Sequence, residues 1–154
     1  MENSNLNSDF ILINHQAKKA GTHTDLRVRI PGKQSYWSWA IRKGMPPEPG
    51  NKVITIQTTI HSKSEAHFVG TIEIGYGKGT LEKIDSGPCE VIKSHSNHFQ
   101  IVFHGSKIKG TYHLIRFSKM PEKMYIIFKS KDKEEVDTYK QTLHKESVDL
   151  TDYY

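Results

Sequence analysis

The sequence contains a single cysteine, Cys89, and no long apolar run. One cysteine cannot form an internal disulfide or build a zinc site from several thiolates. No stretch approaches the ~20 apolar residues that span a bilayer, and residues 1–9 lack the apolar centre of a signal peptide. These absences predict a soluble, cytoplasmic protein with no membrane partner.

Apolar residues are scarce overall, at 35% of the 154 residues, and the mean hydropathy is −0.62. A chain of this length can still bury enough surface to fold as one domain, and we expect it to be a monomer. Its core must be economical, with strands that expose one face to water. Aromatic residues, at 10%, are frequent enough to exclude disorder of the whole chain.

Negative charge is scarce in the body of the chain. The net charge is +5, yet residues 131–154 carry four Lys against seven Asp and Glu. Residues 1–130 are therefore more positively charged than the chain as a whole. A basic body favours a polyanionic partner, because Lys and Arg neutralise phosphates and release counterions. Many basic proteins bind no nucleic acid, so charge alone is a weak indicator.

Short segments rich in Ile, Val, Thr, Phe and Tyr alternate with Gly, Pro, Asn and Ser, which is typical of strands and turns. This pattern predicts an all-β fold, a closed or nearly closed antiparallel barrel of about eight strands, because closure removes exposed edges. The predicted strands are 10–14, 24–30, 36–41, 52–59, 70–74, 79–83, 89–94, 98–104, 110–117 and 124–129.

The predicted barrel occupies residues 10–132, after a flexible segment at residues 1–9. Three prolines between residues 45 and 50 predict a rigid surface loop, because proline fixes φ and lacks a donor. In residues 133–154 the composition shifts to Lys, Glu, Asp and Thr, with apolar residues at helical spacing. We expect a short amphipathic helix over 134–145, followed by a frayed tail.

The segment 22–30 contains a polar face with distinctive chemistry. A strand of period two places His23, Asp25 and Arg27 on one face and apolar side chains on the other. An imidazole and a carboxylate can share a divalent metal, and a guanidinium can fork onto a phosphate held by that metal. The layout indicates phosphoryl transfer, although a solvated strand face is the commoner explanation of such alternation.

His15 lies a short loop upstream and can bring a second imidazole to the same ion. Together His15, His23 and Asp25 form a set of two imidazoles and one carboxylate, which leaves coordination positions for water and a phosphate oxygen. This set suits manganese or a similar first-row ion such as cobalt better than magnesium. Zinc remains an alternative.

Several motifs follow one another in a fixed order. They are a strand that ends in His15, the His-Thr-Asp-Leu-Arg run at 23–27, Trp-Ala-Ile-Arg-Lys-Gly at 39–44, His61 nine residues before Gly70, a segment with two glycines at 105–114, and an apolar strand that ends in Lys-x-x-Asp at 125–132. This order resembles the 3'-phosphoesterase domain of the DNA ligase D family, in a stand-alone form, over residues 10–132.

The resemblance implies an eight-stranded barrel with a polar cavity that processes the 3'-ends of primer strands. A manganese-dependent phosphodiesterase step would remove a terminal ribonucleoside, and a phosphomonoesterase step would then remove the 3'-phosphate, leaving a 3'-hydroxyl for a separate ligase or polymerase. By the same resemblance, the metal ligands are His15, His23 and Asp25, the phosphate is held by Arg27 and His61, and Lys43 adds a phosphate or backbone contact. His61 is also the candidate general acid.

The chain departs from the family pattern at four places: two extra residues between His15 and His23, Glu65 in place of a Tyr, Val53 in place of an Arg, and Arg29 in place of an acidic residue. Lys52, beside Val53, would substitute for the Arg only if a bulge turned it to the same face. The departures leave the metal set intact, and the longer loop, Val53 and Glu65 fall close to the predicted site.

Other residues have competing interpretations. His67 is an alternative to His61, but in a strand before Phe68 we expect it at the surface, and we expect the same of His95, His98, His104 and His113. Trp39 is predicted to pack in the barrel, whereas Trp37 could stack bases. A basic rim of Lys18, Lys19, Arg29, Arg42 and Lys43 is predicted around the cavity.

Two further functions fit the sequence. The first is a non-catalytic module of the same fold that binds nucleic-acid ends. The second is an adaptor whose acidic tail recruits a ligase or polymerase.

Overall fold

The structure is a computed structural model that describes residues 6–17, 21–72 and 79–131. Within these ranges it contains nine strands and one short helix: β1 Ser8–Ala17, β2 Gly21–Arg29, β3 Tyr36–Ile41, β4 Lys52–His61, α1 Lys63–Ala66, β5 Gly70–Ile72, β6 Gly79–His95, β7 His98–His104, β8 Lys109–Ile115 and β9 Met124–Lys129. The helix predicted over 134–145 lies outside the described residues. No described helix has the length and apolar character needed to cross a membrane.

Eight of these strands close into an antiparallel barrel. They pair in the order β1-β2-β3-β4-β9-β8-β7-β6, and β6 pairs back onto β1. The short β5 pairs with the first residues of β6 and so adds a ninth strand outside the ring. The predicted all-β barrel of about eight strands is therefore confirmed.

An apolar cluster fills the inside of the barrel. It takes side chains from all eight barrel strands, with Trp39 completely buried and Val53 packed at its edge. Because alternate residues of a strand face opposite sides, the residues between these core positions face outward. The expected polar cavity is therefore wrong: the interior is apolar, and the polar residues of β2 lie on the outer wall.

Both tryptophans of β3 belong to this packing. The ring of Trp37 lies 5.1 Å from that of Phe99, edge to face, and the ring of Trp39 lies 5.0 Å from the same phenylalanine. The packing predicted for Trp39 is confirmed. Trp37 is only partly buried, yet it contacts the interior cluster, so its ring serves the core in this structure.

β6 joins two strands that were predicted separately. The Asp-Ser-Gly-Pro sequence at 85–88 indicates a turn, but here the strand continues through it. Asp85 explains the continuity, because its carboxylate accepts backbone N–H groups at 2.7–3.0 Å from Ser86 and from Ser106, Lys107 and Ile108 in the β7–β8 loop. A Cβ on Gly87 would lie 2.7 Å from the carbonyl oxygen of His104, so the close approach of β7 requires glycine.

One strand start and one short helix differ from the prediction. β1 begins at Ser8, and Asn7 before it exchanges two side-chain hydrogen bonds with the backbone of Val91, at 2.8 and 3.1 Å. The sequence also contains a helix that was not predicted, α1. Ser62 and Glu65 form a capping box at its start, with each side chain bonded to the other's backbone N–H.

Two histidines expected at the surface are buried. His98 and His113 are 6% and 3% exposed, and His98 Nε2 lies 2.8 Å from His113 Nδ1. His113 also stacks on Phe128, with ring centroids 5.4 Å apart. The prediction failed because this part of the outer wall carries a second apolar cluster, formed by Ile54, Ile115, Met120, Met124, Ile126 and Phe128. His95 and His104 are exposed, as expected.

Asp85 yields a prediction about stability. Burial raises its pKa, but the four backbone N–H donors outweigh burial and hold the pKa below 3.8. In Asp85→Asn, an amide NH2 would face backbone donors, so we expect the free energy of unfolding to fall by about 2 to 4 kcal/mol. Urea unfolding near neutral pH measures this loss.

The loss of unfolding free energy in Asp85→Asn should become smaller as pH falls. Because the folded pKa is depressed, the contribution of Asp85 is complete above the unfolded value of 3.8 and disappears as pH falls through the folded pKa. The difference between wild type and Asp85→Asn should therefore shrink in acid. Glu82→Gln, which changes an exposed carboxylate on the same strand, is the matched control. An equal difference at both pH values would contradict the assignment.

Candidate metal and phosphate site

Three candidate metal ligands converge on the outer wall where β1 pairs with β2. The register places His15 directly opposite His23, and Asp25 follows two residues later on the same face of β2. The two imidazole rings are 4.8 Å apart. Strand pairing alone thus brings together three side chains that are up to ten residues apart in sequence.

The donor atoms of these residues have the spacing of a metal site. Asp25 Oδ1 lies 3.0 Å from His23 Nε2, Asp25 Oδ2 lies 3.5 Å from His15 Nδ1, and one donor atom of each residue falls within 4.8 Å of the others. Neighbouring ligands around a first-row ion with bonds of about 2.0–2.2 Å are separated by about 3 to 3.6 Å. Two imidazoles and a carboxylate therefore fit a divalent first-row ion.

Arg27 adjoins this group and connects it to α1. Its Nη2 donates to Asp25 Oδ2 at 3.3 Å, and its Nη1 donates to the carbonyl oxygens of Glu65 and Ala66, both at 3.0 Å. These carbonyls belong to the last turn of α1, where intrahelical donors are missing. The guanidinium therefore fixes the helix to the barrel wall beside Asp25.

One donor of Arg27 is left over. Among the residues that the structure describes, Nε has no hydrogen-bond partner although it is shielded from solvent. Burial lowers the pKa of Arg27 from its usual value, while the charge and hydrogen bond of Asp25 act in the opposite direction. Nε and Nη2 lie on one edge of the planar group, so the edge that meets Asp25 has an unused donor.

His61 lies at the end of β4, opposite Tyr36, and is partly buried. Its pKa is lowered, first by burial and then by the positive charge of Arg27, whereas the charges of Glu65 and Asp25 act the other way. His61 is thus close enough to Arg27 and Asp25 to be affected by both charges. The lowered pKa favours the neutral imidazole in the free protein.

Lys43 follows the end of β3, whose last residue, Ile41, pairs with Thr24 on β2. It is exposed in the turn after β3 and lines an open cleft of about 410 Å³ together with Lys52, Val53 and the proline-rich loop. The pairing of β4 with β9 is regular from Lys52 to Ile56, so no bulge brings Lys52 onto the face of Val53. Val53 instead packs on the interior cluster.

A polar network beside Arg27 was not foreseen. Arg29 Nε donates to Asp9 Oδ2 at 2.7 Å, and the Tyr36 hydroxyl donates to Asp9 Oδ1. Because that hydroxyl proton is directed to Asp9, His67 Nε2 donates to the Tyr36 oxygen at 2.9 Å. Burial raises the pKa of Asp9, but its bonds to Arg29 and Tyr36 outweigh burial and lower it.

The network places two residues, Arg29 and His67, differently from the sequence prediction. Arg29 was expected in a basic rim, but it is bonded to a carboxylate and to the carbonyl oxygens of Lys33 and Asn7. His67 is exposed, as expected, yet it caps α1 at its C-terminal end instead of lying in a strand. The partners are 20 to 31 residues apart in sequence, so no local pattern indicates the network. Lys18 and Lys19 lie outside the described residues.

The barrel thus carries on its outer wall two histidines and one aspartate that could hold a metal ion. The sequence model of the DNA Ligase D 3'-phosphoesterase domain matches residues 13–116. This chain belongs to that family, so the resemblance drawn from the motifs is confirmed. Membership supports a role in DNA end processing.

Curated relatives include the multifunctional non-homologous end joining DNA repair protein LigD of Mycobacterium tuberculosis, 32% identical over 112 residues, which are 70% of this chain. The multifunctional non-homologous end joining protein LigD of Pseudomonas aeruginosa is 29% identical over 119 residues, 73% of this chain. The aligned part is 14% of each relative, so the chain corresponds to a small portion of these proteins.

The geometry of the ligand group predicts metal binding that depends on Asp25. Asp25→Asn keeps the size of the side chain but removes the charge. We therefore expect Mn²⁺ affinity to fall by about tenfold or more, and a tenfold fall corresponds to about 1.4 kcal/mol of binding free energy. Calorimetric titration of the folded protein with Mn²⁺ measures this. Glu122→Gln, at an exposed carboxylate of the β8–β9 loop, should leave the affinity unchanged. Equal affinities for wild type and Asp25→Asn would show that the ion binds elsewhere.

Proposed function

We propose that the protein is a metal-dependent phosphoesterase that processes the 3'-ends of DNA or primer strands. It removes a 3'-terminal ribonucleoside and then the 3'-phosphate, leaving a 3'-hydroxyl that a ligase can use. This proposal rests on one observation. One ligand atom each of His15, His23 and Asp25 lies within 4.8 Å of the others, directly beside the guanidinium of Arg27. The phosphoesterase class of the reaction is inferred from the family to which the chain belongs.

His15, His23 and Asp25 are the residues that would hold the ion. Manganese is the expected ion, with zinc and cobalt as the alternatives. When bound, the ion would supply Lewis-acid stabilisation of negative charge on a phosphoryl group. Both imidazoles are partly exposed whereas Asp25 is 6% exposed, so a substrate would approach from the histidine side.

Arg27 is proposed to bind the scissile phosphate. The side-chain edge with Nε and Nη2 matches two oxygens of a phosphate, and Nη2 already points to the candidate metal ligand Asp25. A buried donor without a partner costs about 1–3 kcal/mol. Retention of an unused Nε beside the ligand group supports a role in binding a substrate oxygen.

His61 is proposed as the second phosphate contact and as the general acid. In the free protein its lowered pKa favours the neutral ring, which can donate one hydrogen bond to a phosphate oxygen. A bound phosphate would place negative charge beside the ring and raise the pKa again. A water molecule would then attack phosphorus as the P–O bond to the leaving oxygen breaks. The imidazolium would give its proton to the leaving oxygen, and the attacking water would release a proton to solvent.

Lys43 is proposed to contact a phosphate or the backbone of the nucleic acid. It is exposed and lines an open cleft, where its positive charge can meet a phosphate of the strand. This assigns Lys43 to substrate binding and leaves the chemistry to the residues on β1, β2 and β4. Lys52 does not replace the family's Arg, because it lies on a different face from Val53.

The non-catalytic module remains the second candidate, and two observations favour it. The family's Tyr position is Glu65, which is occupied in the capping box of α1, and the family's Arg position is Val53, which packs on the barrel interior. Both positions are therefore closed to phosphate. A module of this kind would bind 3'-ends and recruit a ligase or polymerase without consuming the substrate.

Sealing of the processed end requires a ligase, which we propose as the partner of this protein. We also propose that it acts as a monomer in the cytoplasm. A nucleic-acid substrate and a buried, unpaired Cys89 both suit a reducing cytoplasmic compartment.

Incubation with Mn²⁺ and a DNA primer that ends in one ribonucleotide tests the enzyme directly. We expect a 3'-phosphate product followed by a 3'-hydroxyl product, and we expect His23→Ala and Asp25→Asn to abolish both steps. Arg27→Lys should lower the rate by about 10²–10³-fold, because a point charge replaces a two-donor edge. Denaturing gels resolve the products, and Glu122→Gln should retain full activity.

Two results would argue against the enzyme. Binding of the primer by folded wild type without any product, whichever divalent ion is supplied, would favour the non-catalytic module. Full activity of Asp25→Asn would show that the proposed ligand group does not serve the reaction. Circular dichroism and thermal unfolding of each variant exclude misfolding as the cause of lost activity.

A further inference from the structure

Exposed apolar side chains are concentrated beside the candidate site. Five large apolar residues are exposed among the residues that the structure describes, and four of them are on β4 or in the segment that follows it. Ile60, Phe68 and Val69 are 58%, 45% and 48% exposed. Such a concentration in a small basic protein indicates a binding surface rather than scattered surface residues.

Phe68 is the aromatic member of this group, and it is linked directly to Arg27. The backbone N–H of Phe68 donates to the carbonyl oxygen of Glu65 at 3.3 Å, and Arg27 Nη1 donates to the same oxygen at 3.0 Å. A single oxygen atom therefore separates the guanidinium from the backbone of Phe68. A phosphate on Arg27 would leave its nucleotide within reach of this ring.

The backbone that carries Phe68 is fixed on two sides. Arg27 holds the carbonyl of Ala66, and His67 is bonded to Tyr36 and through it to Asp9. The ring itself rests near Gly70, where an added Cβ would be in ordinary contact with its Cζ at 3.6 Å. The ring is thus supported by glycine and yet nearly half exposed, as a stacking surface requires.

We propose that Phe68 stacks against an unpaired nucleobase at the 3'-end of the substrate. This inference rests on the proposed function and narrows its substrate class to ends whose terminal base is free to stack, with no preference for its identity. The ring presents no hydrogen-bonding group, so it offers a π-face that every base can use. The adjacent charges of Arg27 and the proposed ion bind the phosphate, and the ring adds the contact to the base.

The test compares two DNA ends that differ only at the terminal base. One is a duplex with a short unpaired 3'-overhang, and the other has an abasic residue at the 3'-terminal position. Fluorescence anisotropy with the full chain and no divalent ion measures binding without turnover. We expect wild type to bind the end with the base about tenfold more tightly, since stacking on an aromatic ring is worth about 5- to 100-fold per base.

The variants separate stacking from simple apolar contact. Phe68→Ala should lose the preference for the base while its affinity for the abasic end stays at the wild-type value. Phe68→Leu, which keeps an apolar side chain, should lose most of the preference, and Phe68→Trp should keep it. Ile92→Ala removes another exposed apolar side chain, on β6 near its pairing with β7, and should change nothing.

The outcomes distinguish this proposal from the enzyme proposal. If wild type does not discriminate between the two ends, or if Phe68→Ala keeps the preference, stacking is overturned even when cleavage occurs. If Phe68→Ala loses the preference but wild type gives no product with any metal, stacking stands and the catalytic proposal fails. If Phe68→Ala alters only the oligomeric state in gel filtration, the surface is an interface between copies and stacking is overturned.

Discussion

The pairing register between β1 and β2 determines where the chemistry of this protein can occur. Leu12 lies opposite Leu26, and both are buried in the barrel interior, where exchange for a polar side chain would be costly. Because side chains alternate along a strand, this apolar pairing turns His15, His23 and Asp25 to the outer wall together. A slip of one residue would turn the carboxylate into the apolar interior and the leucine to the outer wall, so the core specifies the site.

Arg27 connects this wall to the one helix that the described residues contain. A four-residue helix is too short to be stable alone. Its capping box satisfies donors at its start, and the guanidinium satisfies carbonyls at its end. The same side chain contacts Asp25, so the position of α1 and the charge around the ligand group are coupled. A substrate phosphate that draws Arg27 toward Asp25 would also change the hydrogen bonds from Arg27 to the carbonyl oxygens at the end of α1. It would thereby affect the segment that carries Phe68.

Structural features that depend on residues close together in the chain, such as the alternation along a strand, could be predicted from the sequence. The closed barrel, the placement of His23, Asp25 and Arg27 on one face of a strand, and the packing of Trp39 all follow from alternating or aromatic strands. The boundary at 85–88 was wrong, because a sequence typical of turns is held straight by a carboxylate that bonds to a loop twenty residues away. Local propensity is overridden where a buried charge collects backbone donors.

Features that depend on distant partners could not be predicted. His98 and His113 are fifteen residues apart and become buried because an apolar cluster covers the neighbouring part of the outer wall. The network of Arg29, Asp9, Tyr36 and His67 joins three strands and a helix end, and no spacing in the sequence indicates it. The polar cavity was wrong for a related reason: period two separates the two faces of a strand but does not say which face lies inside a closed sheet.

The location of the ligand group on the outer wall has a consequence for the kind of substrate it can serve. A cavity inside an eight-stranded barrel has room for side chains or one small ligand, whereas an outer wall sets no limit on the length of a bound molecule. The filled interior here keeps the barrel stable without help from the site, so polar and charged residues can remain on the outside at little cost. In the proposed function, a polymer end would lie along the wall with its terminal phosphate at Arg27, and the strand would continue beyond the site. An open site of this kind excludes water poorly, and it must rely on fixed charges and on a contact such as Phe68 to hold the end in place.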